Sequence, residues 1–165
     1  MSKLYIMCVD DEPEVLEAVE RDLAFFEDVF PLEATSSASE ARSVLEGIEA
    51  KGDELAVIFC DHVMPGETGV ELLEWMETTE VFGNTKKALL TGQAGLDATI
   101  QAVNNANLDF YIQKPWTKEN LLSTARDLLT QYVLESGKNP LPYMSMLNAE
   151  EVTKAMHEGG LVSDE

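Results

Sequence analysis

The chain has 165 residues, of which 45% are apolar and 25% charged, a composition that excludes a disordered chain and suits one domain with a full core plus a short appendage. Eleven Lys and Arg against 31 Asp and Glu leave a net charge of -20, which repels phosphate backbones and anionic lipid and so argues against nucleic acid and membrane as partners. The opening apolar run meets Asp10 too soon for a signal peptide and no later run is long enough to span a bilayer, so a cytoplasmic location is expected.

Leu4 to Val9 is a short apolar run ended by Asp10-Asp11 and reads as a strand buried on both faces. Pro13 fits the first turn of a helix in which Leu16, Val19, Leu23 and Phe26 draw one apolar stripe. Phe30 to Thr35 then reads as a strand, Ser39 to Ala50 as a helix, Leu55 to Cys60 as a strand and Gly69 to Glu80 as a helix. The alternation continues with Lys86 to Leu90, Leu96 to Asn105, Leu108 to Ile112 and Lys118 to Leu134. Five strands alternating with five helices predict an α/β fold, a doubly wound parallel sheet with right-handed crossovers and helices on both faces. Cys8 and Cys60 stand singly in apolar runs with no C-x-x-C spacing, as small buried thiols do. Gly47 to Gly52 has the outline of a phosphate loop, but Asp53 replaces the required lysine and a helix precedes it.

After Leu134 the run from Ser136 to Pro142 has the composition of a linker, which divides the chain into a domain over 1–135 and a tail over 136–165. Within the tail, Asn148 and Glu151 have capping-box spacing, Val152, Ala155 and Met156 give a small apolar face, and Gly159-Gly160 end it. A helix this short does not stand alone. It is either the beginning of an output domain or an arm that docks on its own domain or on a second copy.

In a doubly wound sheet, sites form outside the carboxyl ends of the strands. Four of those ends carry residues that an apolar core would not select: Asp10 and Asp11, then Asp61, then Thr91, then Lys114. Three carboxylates brought together repel by roughly 4 kcal/mol per pair at about 4 Å and an effective dielectric near 20. A positive charge is therefore required among them, and an all-oxygen site that leaves room for water suits magnesium. Lys114 adds a cation suited to holding an anion, and Thr91 adds a hydroxyl donor. A carboxylate nucleophile, a divalent cation, a lysine and a hydroxyl together describe phosphoryl transfer to an aspartate.

With these residues placed, the sequence resembles the receiver domains of two-component response regulators over roughly residues 3 to 134. The resemblance rests on the acidic pair Asp10-Asp11, the run Asp61-His62-Val63-Met64-Pro65-Gly66-Glu67-Thr68-Gly69, Thr91-Gly92, Lys114-Pro115, and the aromatic Tyr111 three residues before the lysine. It implies the flavodoxin-like strand order 2-1-3-4-5. It also implies that Asp61 is the phospho-acceptor, that Asp10, Asp11, Asp61 and the backbone carbonyl of Val63 hold Mg2+, and that Lys114 binds a phosphoryl oxygen after a cis bond to Pro115. Thr91 and Tyr111 would form the switch, with Phe110 the competing aromatic, and would alter the face made by the fourth helix, fifth strand and fifth helix. The implied partners are a sensor histidine kinase or phosphotransfer protein and a second copy, met through that face or through the tail. Val63 and Gln93 would flank the open side of the phosphoryl group.

His62 is expected to face solvent beside this hard-oxygen site, and Trp116 to be a packing residue at the start of the last helix. Two other functional classes share parts of the pattern. A magnesium-dependent aspartyl phosphohydrolase needs a second aspartate two positions after the nucleophile, where Val63 stands. An interaction module of the same fold that does not use phosphorylation is expected to have lost site residues, and none is lost. A flavin-binding relative is disfavoured, because the acids after the first strand would repel the cofactor's phosphate.

Overall fold

A computed structural model describes residues 2–92 and 96–158. Five strands, β1 (Leu4–Val9), β2 (Leu32–Thr35), β3 (Glu54–Asp61), β4 (Lys86–Thr91) and β5 (Phe110–Gln113), pair in parallel in the order β2-β1-β3-β4-β5. The helices are α1 (Pro13–Leu23), α2 (Ala38–Ala50), α3 (Gly69–Glu77), α4 (Leu96–Asn105), α5 (Lys118–Glu135) and α6 (Ala149–Glu158). This is the doubly wound architecture and the strand order expected from the sequence. Alternation along β1 explains its continuous burial: Leu4, Ile6 and Cys8 enter one core with α1 and α5, while Tyr5, Met7 and Val9 enter a second core with α2, α3 and α4. Cys8 and Cys60 are both buried and free.

Several element ends differ from the sequence reading, each for a local reason. Phe30 precedes β2, because its amide bonds the Phe26 carbonyl at 2.7 Å and closes a turn over the 3-10 segment Ala24–Phe26. Pro31 then supplies only its carbonyl to β1. Helix α3 stops at Glu77 rather than Glu80, where the hydroxyls of Thr78 and Thr79 both donate to the Trp75 carbonyl, at 2.7 and 3.0 Å. Strand β5 begins at Phe110 rather than Leu108, since Asn107 takes a left-handed φ of 55° and the Leu108 amide turns back to the Ala102 carbonyl. Two lysines in β4 are buried with carboxylate partners: Lys87 reaches Glu77 at 2.9 Å and Lys86 reaches Glu135 at 2.6 Å. Burial of an ammonium group is tolerable only with such pairing.

The segment read as a linker is short, and a 3-10 helix (Leu141–Met146) leads from it into α6. Lys138 pairs with Glu54 at 2.8 Å, and Tyr143 stacks on Phe30 with ring centroids 5.4 Å apart. Leu147 and Val152 are buried in the same core as α1 and α5. Asn148 caps α6, its side chain accepting from the Glu151 amide at 3.2 Å, while its own amide bonds Thr130 on α5 instead of completing a capping box. The tail therefore docks on its own chain. The glycines read as ending α6, Gly159 and Gly160, lie outside the described residues.

This docking makes a stability prediction. Leu147→Ala should cost about 2–3 kcal/mol, lowering Tm by roughly 4–12 °C at this chain length. Thermal denaturation of the two proteins is the check, and a change within about 0.5 kcal/mol would mark the tail as a loose surface segment.

Candidate functional site

The carboxyl ends of β1 and β3 lie side by side, since the register pairs Val9 with Cys60. Asp10 and Asp61 follow those residues, and both are buried, while Asp11 is half-buried. The Asp10 amide bonds the Thr35 carbonyl at 3.1 Å, and its side chain accepts from the Glu12 amide at 2.9 Å, so the acidic corner is fixed before Pro13 begins α1. One carboxylate oxygen from each of Asp10, Asp11 and Asp61 lies within 4.8 Å of the others. Lys114 enters from the end of β5: its amide bonds the Thr91 carbonyl at 2.7 Å, and its peptide bond to Pro115 is cis. The Lys114 ammonium lies 2.9 Å from Asp10, 3.1 Å from Asp61 and 3.4 Å from Glu12.

Burial and the neighbouring Asp10 charge raise the pKa of Asp61 above its ordinary value of 3.8, and attraction to Lys114 only partly offsets them. Partial burial acts against the charge of Lys114, but its bonds to Asp10 and Asp61 outweigh this and hold its pKa above the usual range. One lysine does not neutralise the cluster. The donors are oxygens of three clustered carboxylates, with one edge open to solvent through half-buried Asp11, and this set fits a hard divalent cation that retains water, as magnesium does.

The other residues singled out in the sequence take distinct places. Thr91 is buried, its hydroxyl directed at the Ile112 carbonyl on β5 at 3.5 Å. Tyr111 is 56% exposed and lies against Phe110, itself 48% exposed. Val63 is 77% exposed. Trp116 is partly buried against the first core. Gln93 lies outside the described residues. His62 does not simply face solvent: the Gly69 amide bonds its carbonyl at 3.0 Å, folding the loop back, and the residue is half-buried with Nδ1 lacking a partner among the described residues. Gly69 is required where α3 meets β3, because a Cβ there would lie 1.9 Å from the Asp61 carbonyl oxygen. Glu12 was not singled out, although an acid directly after Asp10-Asp11 was a signal that a third carboxylate could reach the lysine.

Comparison with known proteins bears on the family and the fold. Residues 6–126 match the family model described as response regulator receiver domain. The chain is 32% identical over 136 residues to the hydrogenase transcriptional regulatory protein HoxA of Cupriavidus necator, a match covering 82% of this chain and 26% of that protein. The chain thus spans about a quarter of the length of that relative. Among solved structures, a CheY-like receiver domain protein from Methanospirillum hungatei superposes with a TM-score of 0.68 at 26% identity, covering 82% of this chain and 99% of that one. A structure described as an adenylate cyclase from Rhodopirellula baltica gives 0.70 at 26% identity, covering 83% and 94%.

The raised pKa of Asp61 carries a sign. The stability tied to this carboxyl is present below its ordinary value and is lost as pH rises through the raised one. In a chelator at neutral pH, Asp61→Asn should therefore raise Tm by on the order of 2–4 °C, a gain that shrinks as the pH falls through the raised value. Melting curves of both proteins from neutral pH downward decide it. A lower Tm for the variant would mean that Lys114 already balances the cluster.

Proposed function

The chain belongs to the response regulator receiver domain family, and from that premise we propose that it is a signalling switch that accepts a phosphoryl group on Asp61 from a histidine kinase or phosphotransfer protein. The observation that carries this reading is the Lys114 ammonium within hydrogen-bond reach of both Asp10 and Asp61, at the ends of two different strands, beside Asp11. Asp10, Asp11, Asp61 and, by the family resemblance, the Val63 carbonyl would hold magnesium, which when bound supplies charge neutralisation for the phosphoryl oxygens.

An Asp61 carboxylate oxygen forms the new P–O bond as the donor's bond to phosphorus breaks, leaving an acyl phosphate on the protein. Lys114 moves from its carboxylate partners to a phosphoryl oxygen, keeping its charge throughout. The Thr91 hydroxyl gives up the long contact with Ile112 and donates to the phosphoryl group. Tyr111, exposed on the edge strand, turns toward the space that Thr91 leaves, and the new charge becomes a change in the face of α4, β5 and α5. That face carries exposed Leu96, Ile100, Val103, Phe110 and Tyr111, which suits a partner or a second copy. The chain in this reading catalyses only its own phosphorylation and dephosphorylation and works in the cytoplasm. Among the described residues, no helix is long and apolar enough to cross a membrane. With Val63 in place of a second acid, a phosphohydrolase is disfavoured.

Intact-mass measurement after incubation with acetyl phosphate should find one phosphoryl group on the wild type with magnesium, and none with chelator or on Asp61→Asn. An adduct on the variant, or one indifferent to chelation, would remove the assignment. Lys114→Ala and Thr91→Ala should retain the fold yet lose most of the phosphorylation-dependent change in amide exchange along α4. Normal switching by both, or loss of the fold in either, would contradict their roles.

The Val63 side chain offers no hydrogen bond to an attacking water. Val63→Asn should shorten the lifetime of phosphorylated Asp61, read as decay of the acyl phosphate after the donor is removed. Equal decay would show that this position does not limit hydrolysis.

A further inference from the structure

The loop over 62–68 begins on Asp61 and ends at Gly69, which is pressed against the Asp61 carbonyl. Between those ends Val63, Pro65 and Gly66 are exposed, and Gly66 turns the chain with a φ of 83°. Met64 enters the second core, and Glu67 is engaged from another element. Both oxygens of Glu67 accept from Arg42 of α2, Nε to Oε1 at 2.9 Å and Nη2 to Oε2 in a shorter contact. The same guanidinium lies 4.4 Å from the centroid of the Trp75 ring on α3. In a chain with 11 basic residues and 31 acidic ones, an arginine is thus committed to a single loop carboxylate.

Only arginine fits both contacts at once, because its planar fork meets both carboxylate oxygens while its face stacks on an aromatic ring, whereas a lysine ammonium is a point charge with neither fork nor planar face. The two side chains remain 35% and 25% exposed. A partly exposed pair adds little to global stability. Its effect falls on the geometry of the loop it holds.

We infer that Arg42 is a positioning residue for the phospho-acceptor site: braced on Trp75, it holds Glu67 and with it the loop leaving Asp61, and so sets how tightly the carboxylate cluster binds a divalent cation. This rests on the functional reading above, and it has a competitor. If only charge mattered, Arg42 would weaken cation binding by its own positive charge and by masking Glu67. Arg42→Ala would then tighten binding, and Arg42→Lys would leave it unchanged. Positioning requires both substitutions to weaken it.

The test is calorimetric titration of the unphosphorylated protein with magnesium, alongside initial phosphorylation rates with acetyl phosphate over a range of magnesium concentrations. Arg42→Ala and Arg42→Lys should each weaken magnesium binding about tenfold, the scale of a lost supporting contact at a metal site. The magnesium concentration giving half-maximal rate should rise by the same factor, with the saturated rate within about twofold of wild type. Arg42→Ala combined with Glu67→Ala should bind no more weakly than Arg42→Ala alone, since the two act as one unit. Should Arg42→Ala fail to fold, Arg42→Lys keeps the charge and carries the test. Binding within about twofold of wild type in Arg42→Lys, or tighter binding in Arg42→Ala, overturns the inference alone. Failure of the wild type to bind magnesium overturns it together with the functional reading.

Discussion

The mutual repulsion of Asp10, Asp11 and Asp61 is the constraint around which the carboxyl edge of the sheet is arranged. Two of these carboxylates are buried, and all three meet within a few ångströms at the ends of β1 and β3. No fold places charges this way for stability, since each pair costs on the order of several kcal/mol before compensation. Lys114 supplies one positive charge, reaching Asp10, Asp61 and Glu12 together. Burial first, and then the Asp10 charge, hold the pKa of Asp61 above its ordinary value despite Lys114. In the proposed reading, this is where an added cation is favourable and where a phosphoryl group, which needs cations on its oxygens, is accommodated.

Rigid surroundings make that arrangement sustainable. The central strands are buried on both faces, so the strand ends cannot splay to relieve the repulsion. Contacts hold each turn of the site: Thr35 on the Asp10 amide, Thr91 on the Lys114 amide, and α3 against the Asp61 carbonyl. The tail adds Tyr143, Leu147 and Val152 to the core shared by α1 and α5, at the far end from the acids. Thr91 and Tyr111 differ in kind: the Thr91 hydroxyl is buried with a long contact to the Ile112 carbonyl, and the Tyr111 ring is exposed beside Phe110.

Much of this was legible in the sequence because it depends on local pattern. Apolar runs ending in Asp10, Asp61, Thr91 and Lys114 fixed the strand ends, and the doubly wound topology brought those ends together. The run from Asp61 to Gly69 entered the sequence reading only as a motif of the resemblance, and the contact of Gly69 with the Asp61 carbonyl gives the physical reason for its glycine. What escaped depended on backbone chemistry at element ends or on distant partners. The carbonyl of Trp75 captured by two threonines, and the left-handed turn at Asn107, moved the ends of α3 and β5. Periodicity does not report such competition. The segment over 136–142 read as a linker because Ser, Gly, Asn and Pro dominate it, and the docking of the short helix after it stayed one of several alternatives, since Tyr143 and Leu147 find their burial sites only on the folded domain. Arg42 and Glu67, 25 residues apart on a helix and a loop, carry no sequence signal of their pairing.

The central claim is that one cation site exists at this edge, although 31 acidic residues are spread through the chain. Titration with substoichiometric Mn2+ while recording amide signals by NMR tests it directly, because paramagnetic broadening falls steeply with distance. The account predicts that the signals around Asp10, Asp11, Asp61 and Lys114 broaden first, and that excess magnesium restores them. Broadening spread over the acidic surfaces of α1, α2 and α6, with the carboxyl edge of the sheet spared, would contradict it.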